Sequence, residues 1–276
     1  RDSDEEQDRD GSDRFRRSEM NLNWTERQVV RGPLRGLFLT RYAFPRLRRM
    51  MDACGVDPPS EWSRVLEIGA GTGQATRLLI GWLRSARPIE ALEPDHRLRR
   101  QAARRLGDAV RWVEGHAGSV TAPSASFDAV CLFETLHHVD DWRAALREVA
   151  RVLRPGGWLL LEETHRKLLD RWWMRALFRH PAGRFDDEPL RAVLDREGFD
   201  LRARLTCFGG GHGLYVLRRR VDAASETASA GARKPDAAAA NGSLATAEGG
   251  VQTGASFDEG SLAERFGDVQ STPKSE

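Results

Sequence analysis

Three glycines between two acidic residues form the clearest chemical pattern in this 276-residue sequence. Gly69, Gly71 and Gly73 alternate in the run Glu67-Ile68-Gly69-Ala70-Gly71-Thr72-Gly73, and Glu93 follows farther along the chain. Glycine lets the backbone turn sharply and lets a ligand approach it closely. A carboxylate in the position of Glu93 can accept hydrogen bonds from both hydroxyls of a ribose. Together these residues predict a site for a nucleoside.

A nicotinamide dinucleotide is the alternative ligand for a glycine loop of this kind. Its fingerprint, G-x-G-x-x-G, needs a third glycine for close packing of helix on strand. Counted from Gly69, that position is Gln74, and the spacing is instead E-x-G-x-G-x-G. The sequence therefore disfavours an NAD-linked oxidoreductase.

Alternating strand and helix patterns surround this loop. The apolar run Val65 to Ile68 leads into Gly69, and residues 75–83 then carry apolar side chains at helical spacing. Further strands are predicted at 89–93, 110–113, 127–133 and 158–161, and helices at 98–106 and 142–153. This alternation predicts an α/β fold with a doubly wound, mostly parallel sheet covered by helices on both faces. A ligand crevice is expected where the strand order reverses.

The last third of the central region has a different pattern. A helix is predicted to begin at Asp187 and to end at Gly198. Apolar and polar residues then alternate strictly from Phe199 to Cys207, which is typical of a strand with one wetter face. Glycines 209–211 make a turn before a final strand at 214–217, so we expect an antiparallel hairpin here.

On these motifs, residues 64–164 resemble class I S-adenosylmethionine-dependent methyltransferases, most closely the branch that includes ubiquinone and menaquinone biosynthesis C-methyltransferases. The matching stretches are Val65 to Gly73, Ala91-Leu92-Glu93-Pro94-Asp95, Ser126 to Val130, Leu136-His137-His138-Val139 and Arg151 to Gly157. The resemblance implies a Rossmann-like sheet of seven strands in the order 3-2-1-4-5-7-6, with the last strand antiparallel. It also implies S-adenosylmethionine as the cofactor.

Carried over position by position, the resemblance assigns a set of cofactor contacts. The glycine loop approaches the methionine part, Glu67 helps to bind its ammonium group, Glu93 takes the ribose, and Pro94 packs near the adenine. The full set implied by the resemblance is Glu67, Gly69, Ala70, Gly71, Gly73, Glu93, Pro94, His116, Ala117 and Phe133.

One motif departs from the family pattern. Where the family has Gly-Asp-Ala, with the aspartate touching the adenine amino group, this sequence has Gly115-His116-Ala117. A neutral imidazole nitrogen could accept the same hydrogen bond. Protonation would remove that acceptor, so cofactor affinity is expected to fall below about pH 6.5. The alternative is an exposed loop histidine, with the backbone of Ala117 making the contact.

Methyl transfer from a sulfonium requires mainly positioning and exclusion of water. A base is needed only if the acceptor loses a proton, and the candidate catalytic residues are His137 and Glu134. His138 is the neighbouring candidate, although it could simply bond to backbone. A non-catalytic S-adenosylmethionine-binding partner or sensor is the alternative function. The three cysteines lie far apart, so we expect no metal site and a reducing compartment.

Two flanking segments, 24–52 and 165–185, are expected to select the acceptor. In the second, Leu168, Leu169, Trp172, Trp173, Ala176 and Leu177 fall on one face of a predicted helix with basic residues opposite. This pattern predicts a lid over a small apolar or aromatic acceptor, or peripheral membrane contact through 166–180. The net charge of +2, and Phe133-Glu134-Thr135-Leu136 in place of an Asn/Asp-Pro-Pro-aromatic run, disfavour nucleic acid as a partner.

Composition divides the chain into three parts. Residues 1–20 and 222–276 contain few large apolar side chains, so both are predicted to be disordered. Residues 21–221 are predicted to form one methyltransferase domain. No apolar run is long enough for a membrane span, and residues 1–20 do not look like a signal peptide. The protein is expected in the cytoplasm, with peripheral association with a membrane as the alternative. The sequence does not predict the oligomeric state.

Overall fold

The computed structural model of the chain describes residues 32–56, 58, 62–83, 88–177, 181 and 183–221. The two segments predicted to be disordered, 1–20 and 222–276, lie outside the described residues. The first part of the flanking segment 24–52 and residues 178–180 of the predicted basic helix also lie outside them.

A seven-stranded sheet forms the centre of the described region. Its strands are β1 Val65–Ile68, β2 Ile89–Leu92, β3 Val110–Trp112, β6 Phe127–Phe133, β7 Leu153–Thr164, β8 Phe199–Cys207 and β9 His212–Arg219. They lie in the order β3-β2-β1-β6-β7-β9-β8, and only β9 runs antiparallel to its neighbours β7 and β8. The predicted strand order and the antiparallel last strand are confirmed. Two short strands, β4 Gly115–His116 and β5 Ser119–Val120, form a separate antiparallel ribbon.

Helices cover both faces of the sheet. They are α1 Pro33–Phe38, α2 Phe44–Ala53, α3 Gln74–Leu83, α4 His96–Leu106, α5 Trp142–Val152, α6 Arg166–Leu169, α7 Trp172–Leu177 and α8 Asp187–Arg196. A π-helical segment, Leu39–Ala43, joins α1 to α2, and a 3₁₀ turn spans Leu136–His138. Asp95 begins α4 by accepting hydrogen bonds from the backbone N–H groups of Arg97 and Leu98, which satisfies donors that a helix start leaves free.

The core divides between the two faces of the sheet. Val130 and Leu132 of β6 belong to an apolar cluster that includes Leu146 of α5. Ala129 and Cys131 of the same strand belong to a second cluster on the α3 side. Every residue of β6 is buried, as a continuous apolar run in a central parallel strand predicts. β6 therefore runs through the middle of the fold. The residues that follow it lie at the carboxyl edge of the sheet, which is the edge at which the parallel strands end.

The predicted amphipathic helix in segment 165–185 is wrong as a single element. The chain forms two short helices instead, because α6 ends at Leu169 with Asp170 as its C-cap. Leu169 is buried, whereas Trp172 is 82% exposed and Trp173 is 40% exposed. The leucines and tryptophans therefore do not share one buried face. No helix within the described residues is both long and apolar enough to cross a membrane.

Candidate functional site

The glycine loop connects β1 to α3 at the carboxyl edge. The backbone N–H groups of Gly69 and Ala70 donate to the carbonyl oxygen of Leu92, at 2.8 and 3.1 Å, which fixes the loop across the end of β2. Gly69, Gly71 and Gly73 all have φ in the left-handed region, at 81°, 56° and 79°. Side chains rarely adopt this backbone conformation, so glycine is required by the turn itself.

Glu93 follows β2 and closes the loop from the opposite side. One carboxylate oxygen, Oε2, accepts the N–H of Gly71 at 2.7 Å, and Oε1 accepts the N–H of Asp95 at 2.9 Å. Burial raises the pKa of Glu93 to about 7, although these two backbone hydrogen bonds act in the opposite direction. The carboxylate is therefore held in one orientation beside the glycine loop.

Glu67, on β1, is a buried acid with an unused acceptor. Its side chain is 1% exposed, and its Oε2 atom has no hydrogen-bond partner among the described residues. Burial, together with the charge of Glu93, raises the pKa of Glu67 to about 7. A buried acceptor that lacks a donor is costly, and such an atom at a cavity wall is well placed to accept a hydrogen bond from a ligand. An ammonium group would satisfy it.

A single cavity joins these elements. Of the predicted cofactor contacts, it is lined by Glu67, Gly69, Ala70, Gly71, Glu93 and Phe133. Glu134 and His138 line it as well, as do residues that the sequence analysis did not assign to the cofactor, among them Arg35, Leu39, Leu98 and Thr135. Arg35 and Leu39 belong to the flanking segment 24–52. Leu98 and Thr135 had no distinguishing signal, since an apolar helix residue and a threonine after a strand are common everywhere.

Gly73 does not line the cavity, and its environment shows a packing role. A Cβ atom on Gly73 would lie 2.6 Å from Cδ1 of Leu106, on α4. Gly69 is similarly crowded, because a Cβ there would lie 2.4 Å from Oγ1 of Thr135. The two glycines allow the loop to approach α4 on one side and the turn after β6 on the other.

Pro94, His116 and Ala117 are also absent from the residues that line this cavity. His116 lies on the ribbon strand β4, half-buried, and its Nδ1 atom accepts the N–H of Gly118 at 3.2 Å. Ala117 is buried in the apolar core. With Nδ1 used as an acceptor, a neutral ring carries its proton on Nε2, which can donate but not accept. The predicted contact, in which His116 accepts a hydrogen bond from the adenine amino group, stays a prediction, and a neutral ring in this rotamer could not make it, because its Nε2 only donates.

His137 lies one layer behind the cavity wall in the 3₁₀ turn. Its Nδ1 atom is 2.7 Å from Oε2 of Glu163, and its Nε2 atom is 3.8 Å from Oε2 of Glu134. Glu163 also accepts the backbone N–H groups of Thr135 and Leu136, so this carboxylate is fully occupied and Nδ1 must donate to it. Burial alone would lower the pKa of His137, but the hydrogen bond to Glu163 and the negative charges of Glu134 and Glu163 together raise it. The ring of His138, whose centroid lies 4.1 Å away and whose plane is tilted by 43°, reaches the cavity instead.

Glu134 belongs to a buried network of charges at the ends of β6, β7 and β9. It has φ of 56°, an unusual value for a residue other than glycine. Nε2 of His212 lies 3.2 Å from Oε1 of Glu134 and 3.3 Å from Oε1 of Glu162, and the guanidinium of Arg35 forks onto Glu162 at 2.7 and 2.8 Å. Burial would raise the pKa of Glu134, but the hydrogen bond from His212 and nearby positive charges hold it well below its usual range.

The ligand atoms of Glu134, Glu162 and His212 lie within 4.8 Å of one another, a spacing that a metal ion could bridge. Arg35 and the ring of His212 already bring positive charge to these carboxylates, which explains the group as an ion-pair network. Sequence reasoning missed the network because its members are far apart in the chain and share no motif.

Comparison with known proteins agrees with this geometry. Residues 66–161 match the family model for a methyltransferase domain. The chain is 35% identical over 99 residues to an uncharacterized methyltransferase, YcgJ, of Bacillus subtilis, covering 36% of this chain and 39% of that one. It is 33% identical over 104 residues to the ubiquinone/menaquinone biosynthesis C-methyltransferase UbiE of Hahella chejuensis, covering 36% and 42%. The chain thus spans less than half the length of these curated relatives.

Solved structures show the same fold. An S-adenosylmethionine-dependent methyltransferase from Mesorhizobium loti superimposes with a TM-score of 0.50 at 18% sequence identity, covering 63% of this chain and 96% of that one. The family model and the curated relatives confirm the resemblance to methyltransferases over the central part of the chain, and the solved structure shows the fold alone.

Proposed function

We propose that this chain, whose residues 66–161 form a methyltransferase domain, is an S-adenosylmethionine-dependent methyltransferase acting on a small, apolar or aromatic acceptor. One observation carries the proposal: the glycine loop, the unpaired oxygen of Glu67 and the fixed carboxylate of Glu93 meet in one cavity at the switch point of the sheet. Glu67 would hold an ammonium group and Glu93 a ribose, with Gly69, Ala70 and Gly71 close to the ligand backbone.

When bound, S-adenosylmethionine supplies a methyl group that is already activated on a sulfonium. The work left to the protein is to position the acceptor and exclude water. Leu39 and Phe133 give the cavity an apolar wall, and Arg35 covers it from α1. This apolar wall supports an aromatic or apolar acceptor.

Of the two predicted catalytic residues, only Glu134 lines the cavity; His137 lies behind it and would exchange a proton with an acceptor through Glu134. Glu163 orients the ring through Nδ1, which leaves Nε2 as the basic atom of the neutral ring. Because the pKa of His137 is raised, the base form develops only above the usual value near 6.5. Glu134, 3.8 Å from Nε2, stands between this ring and the cavity and would position it.

Calorimetry tests the binding half of the proposal. Glu93→Ala should weaken S-adenosylmethionine binding by at least about tenfold, since hydrogen bonds to a charged group contribute roughly 1.5–3 kcal/mol each. Glu114→Gln is the control, because Glu114 carries an exposed ion pair with Arg99. NAD should bind to neither protein. Undiminished affinity in Glu93→Ala would remove the basis of the proposed site.

Mass spectrometry tests the catalytic half. The protein and cofactor, incubated with a metabolite extract, should give a product heavier by one methyl group. His137→Gln should lower kcat while leaving cofactor affinity unchanged, and Glu163→Gln should move the acid limb of the kcat profile to lower pH. Tight cofactor binding without any methylated product would favour the non-catalytic sensor instead.

A further inference from the structure

Helix α4 carries a stripe of positive charge along its solvent-facing side. Five of its side chains lie at helical positions i, i+3, i+4, i+7 and i+8, and therefore on one face: Arg97, Arg100, Gln101, Arg104 and Arg105. These five residues, the arginine stripe, line an open groove on the surface. All four arginines are exposed, whereas Leu98 and Ala102 on the opposite side of the helix are buried.

The arginine stripe is not neutralised by the residues around it. Arg99, beside the stripe, pairs with Glu114 at 2.7 Å, but the four arginines of the stripe pair with no acid in the described part of the chain. Like charges three or four positions apart in a helix repel each other, as Arg97 and Arg100 or Arg100 and Arg104 do here. An anionic partner over the groove would remove this repulsion.

The chain itself contains a segment of the opposite charge. Residues 2–13, the acidic segment, include seven aspartates and glutamates but one arginine, so their net charge is −6. Since the whole chain has a net charge of +2, the remaining residues carry +8. Attraction between such charges needs no folded conformation of the acidic segment, so it agrees with the disorder predicted for residues 1–20.

The first described helix, α1, lies close to α4. A Cβ atom on Gly36 of α1 would lie 2.9 Å from Oε1 of Gln74, the first residue of α3. The neighbouring Gly73 packs in turn against α4, because its Cβ would lie 3.2 Å from that of Ala102. The chain therefore enters the described region two contacts away from the helix that carries the arginine stripe.

The connection between the acidic segment and α1 is long enough to reach the outer face of α4. The 18 residues 14–31 span up to about 60 Å when extended, whereas α4 with its 11 residues is only about 16 Å long. A tether of this kind also keeps the acidic segment at a high effective concentration near the arginine stripe.

We propose that the acidic segment, residues 2–13, docks on the arginine stripe of α4 in the same molecule. Exposed ion pairs hold it there, each of them weak and sensitive to salt, and their number gives the contact its strength. The contact lies behind one wall of the cofactor cavity, since Leu98 on the inner face of α4 lines that cavity. The proposal is independent of methyl transfer, because it requires neither cofactor nor acceptor.

Arginine footprinting of the full chain tests it. The probe is phenylglyoxal, and mass spectrometry follows the rates of modification of Arg100 and Arg104 in wild-type protein and in a variant whose seven acids in residues 2–13 are replaced by the corresponding amides. The variant changes no residue of the described fold. Arg202 is the internal control, because it is exposed on β8, at the opposite edge of the sheet from β3.

Loss of the covering anion should expose the arginine stripe. In about 0.05 M salt, Arg100 and Arg104 should react at least about threefold faster in the amide variant than in wild type, because several exposed ion pairs are lost together. Arg202 should react equally fast in the two proteins. In about 1 M salt, where the Debye length falls to about 3 Å, the difference at Arg100 and Arg104 should disappear.

Equal rates at Arg100 and Arg104 in the two proteins at low salt would overturn the proposal. So would an acceleration of Arg202 as large as theirs, since this would be an effect of net charge alone. A difference that grows with protein concentration would assign the contact to a second copy of the chain. If the rates are equal and an added oligonucleotide protects both proteins alike, the arginine stripe binds nucleic acid instead of the acidic segment.

Discussion

Glu67 and Glu93 are two buried acids in one cavity wall, and burial raises the pKa of each to about 7. An unfolded glutamate titrates near 4.5, so the folded protein binds protons more tightly than the unfolded chain. The resulting loss of stability is absent below pH 4.5, grows as pH rises towards 7, and is complete above 7. The two residues proposed to bind the cofactor thus make the ligand-free protein less stable at neutral pH.

Replacing Glu67 with Gln should therefore stabilise the ligand-free protein at pH 8 but not at pH 4.5. A rise in pKa from 4.5 to about 7 corresponds to a gain of up to roughly 3 kcal/mol in the free energy of unfolding. Urea unfolding at both pH values measures it. Glu148→Gln is the control and should lower the free energy of unfolding at pH 8, since the hydrogen bond to Arg151 lowers the pKa of Glu148. An equal effect of Glu67→Gln at both pH values would contradict the raised pKa of Glu67.

Among the elements, the loop after β1 and the turn after β6 have to approach each other closely for the cavity to form. Thr135 donates its hydroxyl to the carbonyl oxygen of Ile68 at 3.1 Å, and Gly69 leaves room for this contact. The backbone N–H groups of Thr135 and Leu136 bind Glu163 of β7. The ends of three neighbouring strands are thereby joined at the site.

Gly69→Ala should lower the free energy of unfolding by about 2 kcal/mol or more, because the new methyl group would meet Thr135 and the backbone φ is left-handed. Gly81→Ala is the matched control in α3, where an added Cβ meets no atom within 4 Å. This control should raise stability by about 0.5–1 kcal/mol, as is usual for glycine in a helix. Chemical unfolding measures both, and similar effects from the two substitutions would contradict the crowding at Gly69.

Helix α7 presents Trp172 and Trp173 to solvent, beside the basic residues Arg171 and Arg175. Exposed tryptophans next to positive charge are typical of contact with an anionic membrane surface. Wild-type protein should therefore co-sediment with anionic liposomes, and the double variant Trp172→Ala, Trp173→Ala should not. Leu201→Ala, an exposed apolar residue on β8, is the control. Equal, negligible sedimentation of wild type and double variant would exclude the membrane contact.

At the scale of the whole molecule, the last described strand, β9, lies inside the sheet and not at its edge. β9 lies between β7 and β8 and hydrogen-bonds to both, so the edge strand β8 joins the sheet only through β9. His212, at the start of β9, also brings its ring to Glu134 and Glu162. Folding of the site therefore depends on the chain as far as Arg219.

Two truncations test this dependence. Removing residues 222–276 should shift Tm by less than about 2 °C and leave cofactor affinity unchanged, since these residues were predicted to be disordered. Removing residues 212–276 should prevent cooperative unfolding, because β8 then has no partner strand. Thermal unfolding followed by circular dichroism measures both. A large loss of Tm in the first truncation would contradict the predicted disorder of the C-terminal segment.

The sequence by itself determined the features that depend on neighbours along the chain. Val65 to Ile68, the glycine turn and Glu93 were identified correctly as a strand, a loop and an acid at the carboxyl edge, because side-chain periodicity and turn chemistry are local properties. The strand order followed from the family resemblance that these motifs carry. Six predicted cofactor contacts share one cavity for the same reason, since all but Phe133 lie on β1, β2 or the turns that follow them.

Only the tertiary structure decided which distant residues meet. Arg35 reaches Glu162 across 127 positions, and Cys207, His212 and Glu134 come together from three different strand ends. It also turned His137 towards Glu163 and His138 towards the cavity, a choice set by one 3₁₀ turn. Charges buried together must neutralise one another, and this pairing is selected by the packed sheet, for which the sequence has no local signal.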